Sequence, residues 1–197
     1  LTLTIPAGQR LSDALIMKMT TDNLPDLTKV YGIGFTIQSV SKAGVGIPSN
    51  LKNVLYKFTL KNKYDGRYTL NGYHNRDPYT FPYQTEIHLV TVGPDEVEFY
   101  WPLVSSVGHP IGIGAGNSMS WYGAAIAPVI VFDLDTDLVA DVYNKPPNAT
   151  PITMFTGPGS RLSKWDPATR NITVDWNYSN NDLRAFFDDL TYIGPRP

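Results

Sequence analysis

Two alternating segments on either side of one dipeptide limit what this chain can fold into. In Tyr56-Lys-Phe-Thr-Leu-Lys61, Tyr56, Phe58 and Leu60 alternate with Lys57, Thr59 and Lys61. That is the two-residue period of a strand with one face buried. Asp65-Gly66 follows, a turn signal, because glycine accepts the positive φ of a tight turn. Tyr68, Leu70 and Gly72 then resume the same period. The stretch therefore predicts strand, turn, strand. The residues before it read as the end of one β module and those after it as the start of another.

The rest of the chain repeats the pattern. Strand segments occur at Leu1–Ile5, Tyr31–Val40 and Asn53–Leu60, and Arg10–Thr20 reads as a strand over Ala14–Met19 or as a short helix capped by Ser12 or Asp13, the strand being preferred. Further strand candidates follow at Gly66–Tyr73, Tyr83–Val92, Glu96–Trp101, Ala127–Asp133, Leu138–Tyr143, Arg170–Asn177 and Thr191–Ile193. Asp22–Thr28 reads as a loop with a helical turn, and Asn181–Asp189 as a short helix. The 16 glycines and 16 prolines are spread along the 197 residues, as many short strands joined by turns require. Residues 1–61 hold too few strands for a complete β-sandwich and make part of one. Residues 62–197 hold enough for an antiparallel sandwich or barrel. Leu103–Ser120, rich in glycine, is the longest irregular stretch, and long loops on β scaffolds tend to carry binding residues.

Composition removes several function classes. The net charge is −2 with no basic stripe, which argues against a nucleic-acid partner. There is no cysteine, hence no disulfide framework, thiolate metal site or cysteine nucleophile. No apolar run reaches the roughly 18 residues of a membrane helix. The longest, Ala124–Phe132, is interrupted by Pro128. The chain opens at Leu1, already in an alternating pattern, which leads to the expectation of further sequence upstream.

Thr2-Leu-Thr-Ile-Pro-Ala-Gly8, the strand Tyr31–Ser39, and Tyr56–Lys61 followed by Asn62-Lys-Tyr-Asp-Gly-Arg-Tyr68 resemble surface lipoproteins of Bacteroidota glycan-utilisation loci. The chain end is similar too, in Trp165-Asp-Pro-Ala-Thr-Arg170 and Leu190-Thr-Tyr-Ile-Gly-Pro-Arg196. The resemblance implies an N-terminal immunoglobulin-like module followed by a C-terminal β domain of unknown function. It also implies a lipid-anchored location at the outer-membrane surface, beside a glycan importer. The lipidated cysteine of such proteins is absent from this chain. The motifs that carry the resemblance are turns and strand ends, and none is catalytic.

Candidate binding residues follow from loop chemistry. A flat exposed ring matches the C–H face of a pyranose, and neighbouring polar groups take its hydroxyls. Tyr73-His-Asn-Arg-Asp-Pro-Tyr79 and Ser118-Met-Ser-Trp-Tyr122 have polar or loop-like surroundings. They supply Tyr73, Tyr79, Trp121 and Tyr122 as stacking platforms, and Asn75, Arg76, Asp77 and Asn117 as hydroxyl partners. Trp176 lies in an alternating strand and Trp165 precedes a turn, so core packing is the stronger reading for both. Asp133-Leu-Asp-Thr-Asp137 fails as an EF-hand, with Leu138 at the sixth place and Asn144 at the twelfth. His74, His88 and His109 lack metal-ligand spacing. Gly112–Gly116 lacks the context of a phosphate loop, and no Gly-x-Ser-x-Gly elbow exists. No metal, cofactor or catalytic residue is assigned.

The expectation is an all-β chain. A partial immunoglobulin-like β-sandwich module (1–61) precedes an antiparallel β-sandwich or lipocalin-like barrel (62–197). The expected role is non-catalytic: binding a polysaccharide or oligosaccharide, or supporting neighbouring importer proteins of the outer membrane. A structural or assembly role is the first alternative. A glycosidase or lyase is the second.

Overall fold

The structure, a computed structural model, describes residues 2–12, 14–19, 24, 29–123 and 125–197. The first strands, β1 (Tyr31–Thr36) and β2 (Asn53–Phe58), pair antiparallel with each other in a sheet of their own. The main sheet is built from β3 (Gly66–His74), β4 (Tyr83–Thr91), β5 (Glu96–Trp101), β6 (Ser106–Val107), β9 (Pro128–Phe132), β10 (Val139–Asn144), β11 (Ile152–Met154), β12 (Lys164–Trp165), β13 (Ile172–Tyr178) and β14 (Ala185–Gly194). A third sheet is the hairpin of β7 (Pro110–Gly114) and β8 (Ser118–Trp121).

The main sheet runs β10-β9-β5-β4-β3-β14-β13-β11, all neighbours antiparallel. Followed from β3, each strand pairs with the next, and β14 returns to β3. β11 and β12 both pair with β13 and act as one strand broken by residues 155–163. The ring is completed at an isolated bridge between Leu138 and Lys164. There the Val139 N–H donates to the Ser163 carbonyl at 3.0 Å, and the Trp165 N–H to that of Asp137 at 2.9 Å. The result is a nearly closed, barrel-like sheet of up-and-down strands. Closure satisfies the edges that an open antiparallel sheet would expose.

The core lies inside this sheet. Tyr68 and Leu70 (β3), Ile87 and Leu89 (β4), Phe99 and Trp101 (β5), Ile130 and Phe132 (β9), Trp176 (β13) and Phe186 and Leu190 (β14) are all buried. Eight strands enclose a space just wide enough for side chains to fill. At one end Tyr64 stacks on Phe132, ring centroids 3.8 Å apart, with its edge to Trp165 at 5.3 Å. Asp65, beside it, receives Nε and Nη2 of Arg196 at 2.9 and 2.8 Å and both the N–H and hydroxyl of Thr91 at 3.0 Å. These bonds tie the last residues of the chain to the start of β3.

Several expectations change. Gly66 does not supply a positive φ. It is the first residue of β3, and a Cβ there would lie 2.6 Å from the Tyr192 ring, so its role is close packing. Among the described residues, 2–5 and 14–19 pair with no strand and are not strands themselves, and Leu1 lies outside the described residues. Most of Asp22–Thr28 lies outside them too. The expected helix at Asn181–Asp189 is instead a 3₁₀ turn at Asp182–Arg184 followed by β14. In β14, Phe186, Asp188 and Leu190 face the core, while Ala185 and Phe187 are covered outside by Phe155. A strand buried on both faces loses the alternation that would reveal it.

Candidate functional site

The loops at residues 75–82, 102–127, 145–151 and 179–184 gather at the end of the sheet opposite Tyr64. The longest folds back as a plug. It contains a 3₁₀ turn at Pro102–Val104, strand β6 and the β7–β8 hairpin, and it buries His109 and Ile111. Gly112 touches the backbone of Phe81, which leaves no room for a side chain.

His109 is completely buried and anchors the plug to Asp188, also completely buried. Its Nδ1–H donates to the Pro110 carbonyl at 2.7 Å. Its Nε2 lies 3.0 Å from Asp188 Oδ2, so one proton lies between ring and carboxyl. Asp188 also accepts from the Tyr83 hydroxyl and from Trp176 Nε1, each at 2.8 Å. Gly72, facing inward from β3, has no side chain where the carboxylate and the Tyr83 hydroxyl sit. Burial, and then the Asp188 carboxylate, push the Tyr83 phenol well above its ordinary range, so it remains a donor. The His109 ring and the Asp188 carboxylate are enclosed, and together they hold the plug in place.

One layer outward, three flat rings stack across adjacent strands. Phe186 lies 4.2 Å from Trp176 on one side and 4.2 Å from His74 on the other. The register explains it, since Trp176, Phe186 and His74 are directly opposed on β13, β14 and β3. His74 is fully buried, and among the described residues neither ring nitrogen makes a well-formed hydrogen bond, the Arg184 carbonyl acting on it only weakly. Burial, then the Arg76 charge and the neighbouring His109 ring, lower its pKa to about 4.

Arg76 and two phenols lie above His74. The Tyr122 hydroxyl donates to that of Tyr178 at 2.5 Å. Arg76 Nη1 donates to Tyr178 at 3.1 Å and to Tyr122 at 3.4 Å. The Arg76 guanidinium also lies 5.7 Å from the Tyr79 ring, and that of Arg184 lies 5.3 Å from the Tyr178 ring. Burial, then the hydrogen bond to Tyr178, raise the Tyr122 phenol to about 12, so it stays protonated.

The structure thus brings Arg76, Tyr79 and Tyr122 together and disperses the other candidates. Tyr73 lies on the outer wall, stacked on Phe187 at 4.8 Å. Asn75 serves the backbone: its Oδ1 accepts the Ala185 N–H and its Nδ2 donates to the Asp182 carbonyl. Asn117 does the same at Gln84, taking its N–H at 2.6 Å and donating to its carbonyl at 2.9 Å. With their polar groups so engaged, neither asparagine is a free hydroxyl partner. Asp77 is exposed and precedes Pro78 through a cis peptide bond. Trp121, 37% exposed, packs its indole over Gly108. A shallow depression of about 360 Å³ lies beside Asn117, lined by Asn71, Gly72, Pro82, Tyr83 and Gln84. Tyr178, Arg184 and His74 join the cluster, although the sequence alone assigned none of them to a site. Tyr178 reads there as the end of an alternating strand, and only the barrel geometry brings it to Arg76.

No family model matches the sequence, and no curated protein does. Among solved structures, a structural-genomics crystal structure of unknown function from Bacteroides ovatus is similar over 73% of this chain and 46% of its own, with 11% identity and a TM-score of 0.44. A second, a protein of unknown function from the same organism, is similar over 96% of this chain and 64% of its own, with 18% identity and a TM-score of 0.35. This chain spans less than two thirds of the length of either.

Proposed function

We propose that the chain is a non-catalytic glycan-binding protein of the cell surface, and that the plugged end of the barrel is its binding face. One observation carries this reading. Tyr79, 37% exposed, sits with Arg76 and the Tyr122–Tyr178 pair at the plugged end of the barrel, and Trp121, also 37% exposed, lies on the plug at the end of β8, next to Tyr122. Exposed rings beside fixed donors suit a sugar, whose C–H face stacks while its hydroxyls take hydrogen bonds. Asp188, the acid beneath this face, is enclosed and engaged by Tyr83, His109 and Trp176, which favours binding over hydrolysis. The lipid anchor, the outer-membrane location and a neighbouring importer rest on the sequence resemblance alone. The test is a glycan array with hits confirmed by calorimetry. Tyr79→Ala combined with Trp121→Ala should abolish a confirmed hit, and unchanged binding rejects this face.

A structural or assembly role is favoured by a different observation. Among the described residues β1 and β2 pair only with each other, and Val54, Leu55 and Tyr56 are exposed. A lone hairpin is at best marginally stable in water, so these strands fit a chain that docks to another β module. A folded protein silent on every glycan, yet retained by purified envelope proteins, would favour this second role.

A further inference from the structure

Three arginines of this chain are paired with carboxylates, and Arg170, over the Tyr192 ring, has two donors taken by the Tyr192 hydroxyl and the Lys63 carbonyl. Arg67 pairs with Glu86 at 3.0 Å, Arg161 with Asp175 and Asp189 at 2.6 and 2.7 Å, and Arg196 with Asp65 at 2.8 Å. At the plugged end, Arg76 and Arg184 meet no carboxylate among the described residues, and both lie against Tyr178. Two cations left unneutralised around one phenol, in a chain of net charge −2, form a local positive site on an otherwise acidic protein.

The hydrogens of the cluster are not all used. A guanidinium has five N–H donors in a rigid fork. Both phenol contacts of Arg76 come from Nη1, so Nε and Nη2 remain to donate. The two phenols hold two protons, and one fills the bond between them. The other has no acceptor within the cluster. The field is felt nearby too, since Arg76 follows burial among the causes that depress His74.

Resting on the glycan-binding reading above, we infer that Arg76, Arg184 and the Tyr122–Tyr178 pair form an anion subsite that selects glycans carrying acidic groups, with the carboxylate of a uronic acid taken by the Arg76 fork. A neutral sugar would leave both guanidinium charges without a counter-charge. A carboxylate accepts two parallel N–H bonds from one guanidinium, and the spare phenolic proton can reach the same group. Sulfate esters present the same chemistry, so both kinds of anion belong in the test.

Calorimetry at low salt would compare polygalacturonate and alginate, their carboxyl-reduced neutral forms, and dextran sulfate. The expected result is binding of an acidic polymer by the native chain, with about a tenfold or greater loss on reduction. Arg76→Gln should cause a similar loss, and Tyr178→Phe, which keeps the ring, a smaller one. Arg76→Gln also gives up the hydrogen bonds to Tyr178 and Tyr122, so a modest drop in urea stability is expected, and calorimetry is run where urea melts show the variant fully folded, which separates ligand contact from folding. Preference for dextran sulfate over the uronates, lost in Arg76→Gln, supports the subsite and assigns its anion to sulfate esters. Equal binding of native and reduced polymers, or full acidic binding by Arg76→Gln, overturns the subsite. If neutral glycans then still bind and Tyr79→Ala with Trp121→Ala abolishes that binding, the general glycan reading survives its loss. If no polymer, acidic or neutral, binds the folded chain, both readings fall.

Discussion

His74 gives the sharpest test of the physical picture. The folded chain holds its imidazole neutral down to about pH 4, against an ordinary 6.5, because burial first and then Arg76 and His109 oppose the charge. The Arg184 carbonyl and Asp188 act in the opposite sense and are outweighed. Above pH 6.5 neither the folded nor the unfolded chain carries this proton, so stability does not depend on it. Below 6.5 the unfolded chain takes the proton first, and stability falls with pH until the folded form is also protonated. Each pH unit in that window costs about 1.4 kcal/mol, or about 3 kcal/mol by pH 4. His74→Phe keeps a flat ring on Phe186 and removes the titration. At neutral pH the change also relieves an unsatisfied buried imidazole, worth about 1–3 kcal/mol, against a small cost for the larger ring. Urea denaturation of both proteins, in half-unit steps from pH 7.5 to 4, should show profiles that diverge as pH falls, the native chain losing about 3 kcal/mol more. Parallel profiles would refute the reasoning, since Arg76, His109 and Asp188 are present in both proteins.

Gly72→Ala should destabilise by about 2–4 kcal/mol in urea, because its Cβ would take the space of Asp188 Oδ1 and meet the Tyr83 hydroxyl and Phe187 carbonyl. An undiminished denaturation midpoint would mean that the polar cluster is looser than described. Asp188→Ala strips His109, Tyr83 and Trp176 of their shared acceptor. It should cost about 3–5 kcal/mol and raise hydrogen exchange over residues 108–122 ahead of the barrel strands. At the other end, burial opposes the charge on Asp65, but the Arg196 fork and the Thr91 donors prevail and hold its carboxyl below the usual 3.8. Its contribution is therefore complete above pH 3.8 and is lost as pH falls through the lower folded value. Arg196→Gln should flatten that acid limb without altering the His74 window, as melts between pH 2 and 7 would show.

Much of the architecture is legible in the chain itself. β5 and, to within two residues or so, β3, β4, β9, β10 and β13 are legible as strands. In β3 and β4 alternation marks the face that meets the core, whereas β5, β9 and β13 are covered on most of both faces and are marked by β-branched and aromatic residues between turns. β14 is hidden because its first residues carry no alternation and its inward Asp188 looks like a solvent position. The β7–β8 hairpin is hidden by its glycines: Gly112 permits a close approach to Phe81, and Gly116 takes the positive φ of the turn.

The candidate site divides along the same line. The loop segments that hold Arg76, Tyr79 and Tyr122 stand out in the sequence as polar and aromatic. Asn75 and Asn117 carry the same chemistry, yet they are consumed by backbone groups at Ala185, Asp182 and Gln84. Tyr178 comes within hydrogen-bonding distance of Arg76 from 102 residues away in the chain. Local sequence determined which residues could form strands and which loops were polar, because those properties depend on near neighbours. Strand register and ring closure decided which side chains meet, which carboxylate is enclosed and which arginines keep donors free. Those are distances between residues far apart in the chain, and only the packed barrel sets them.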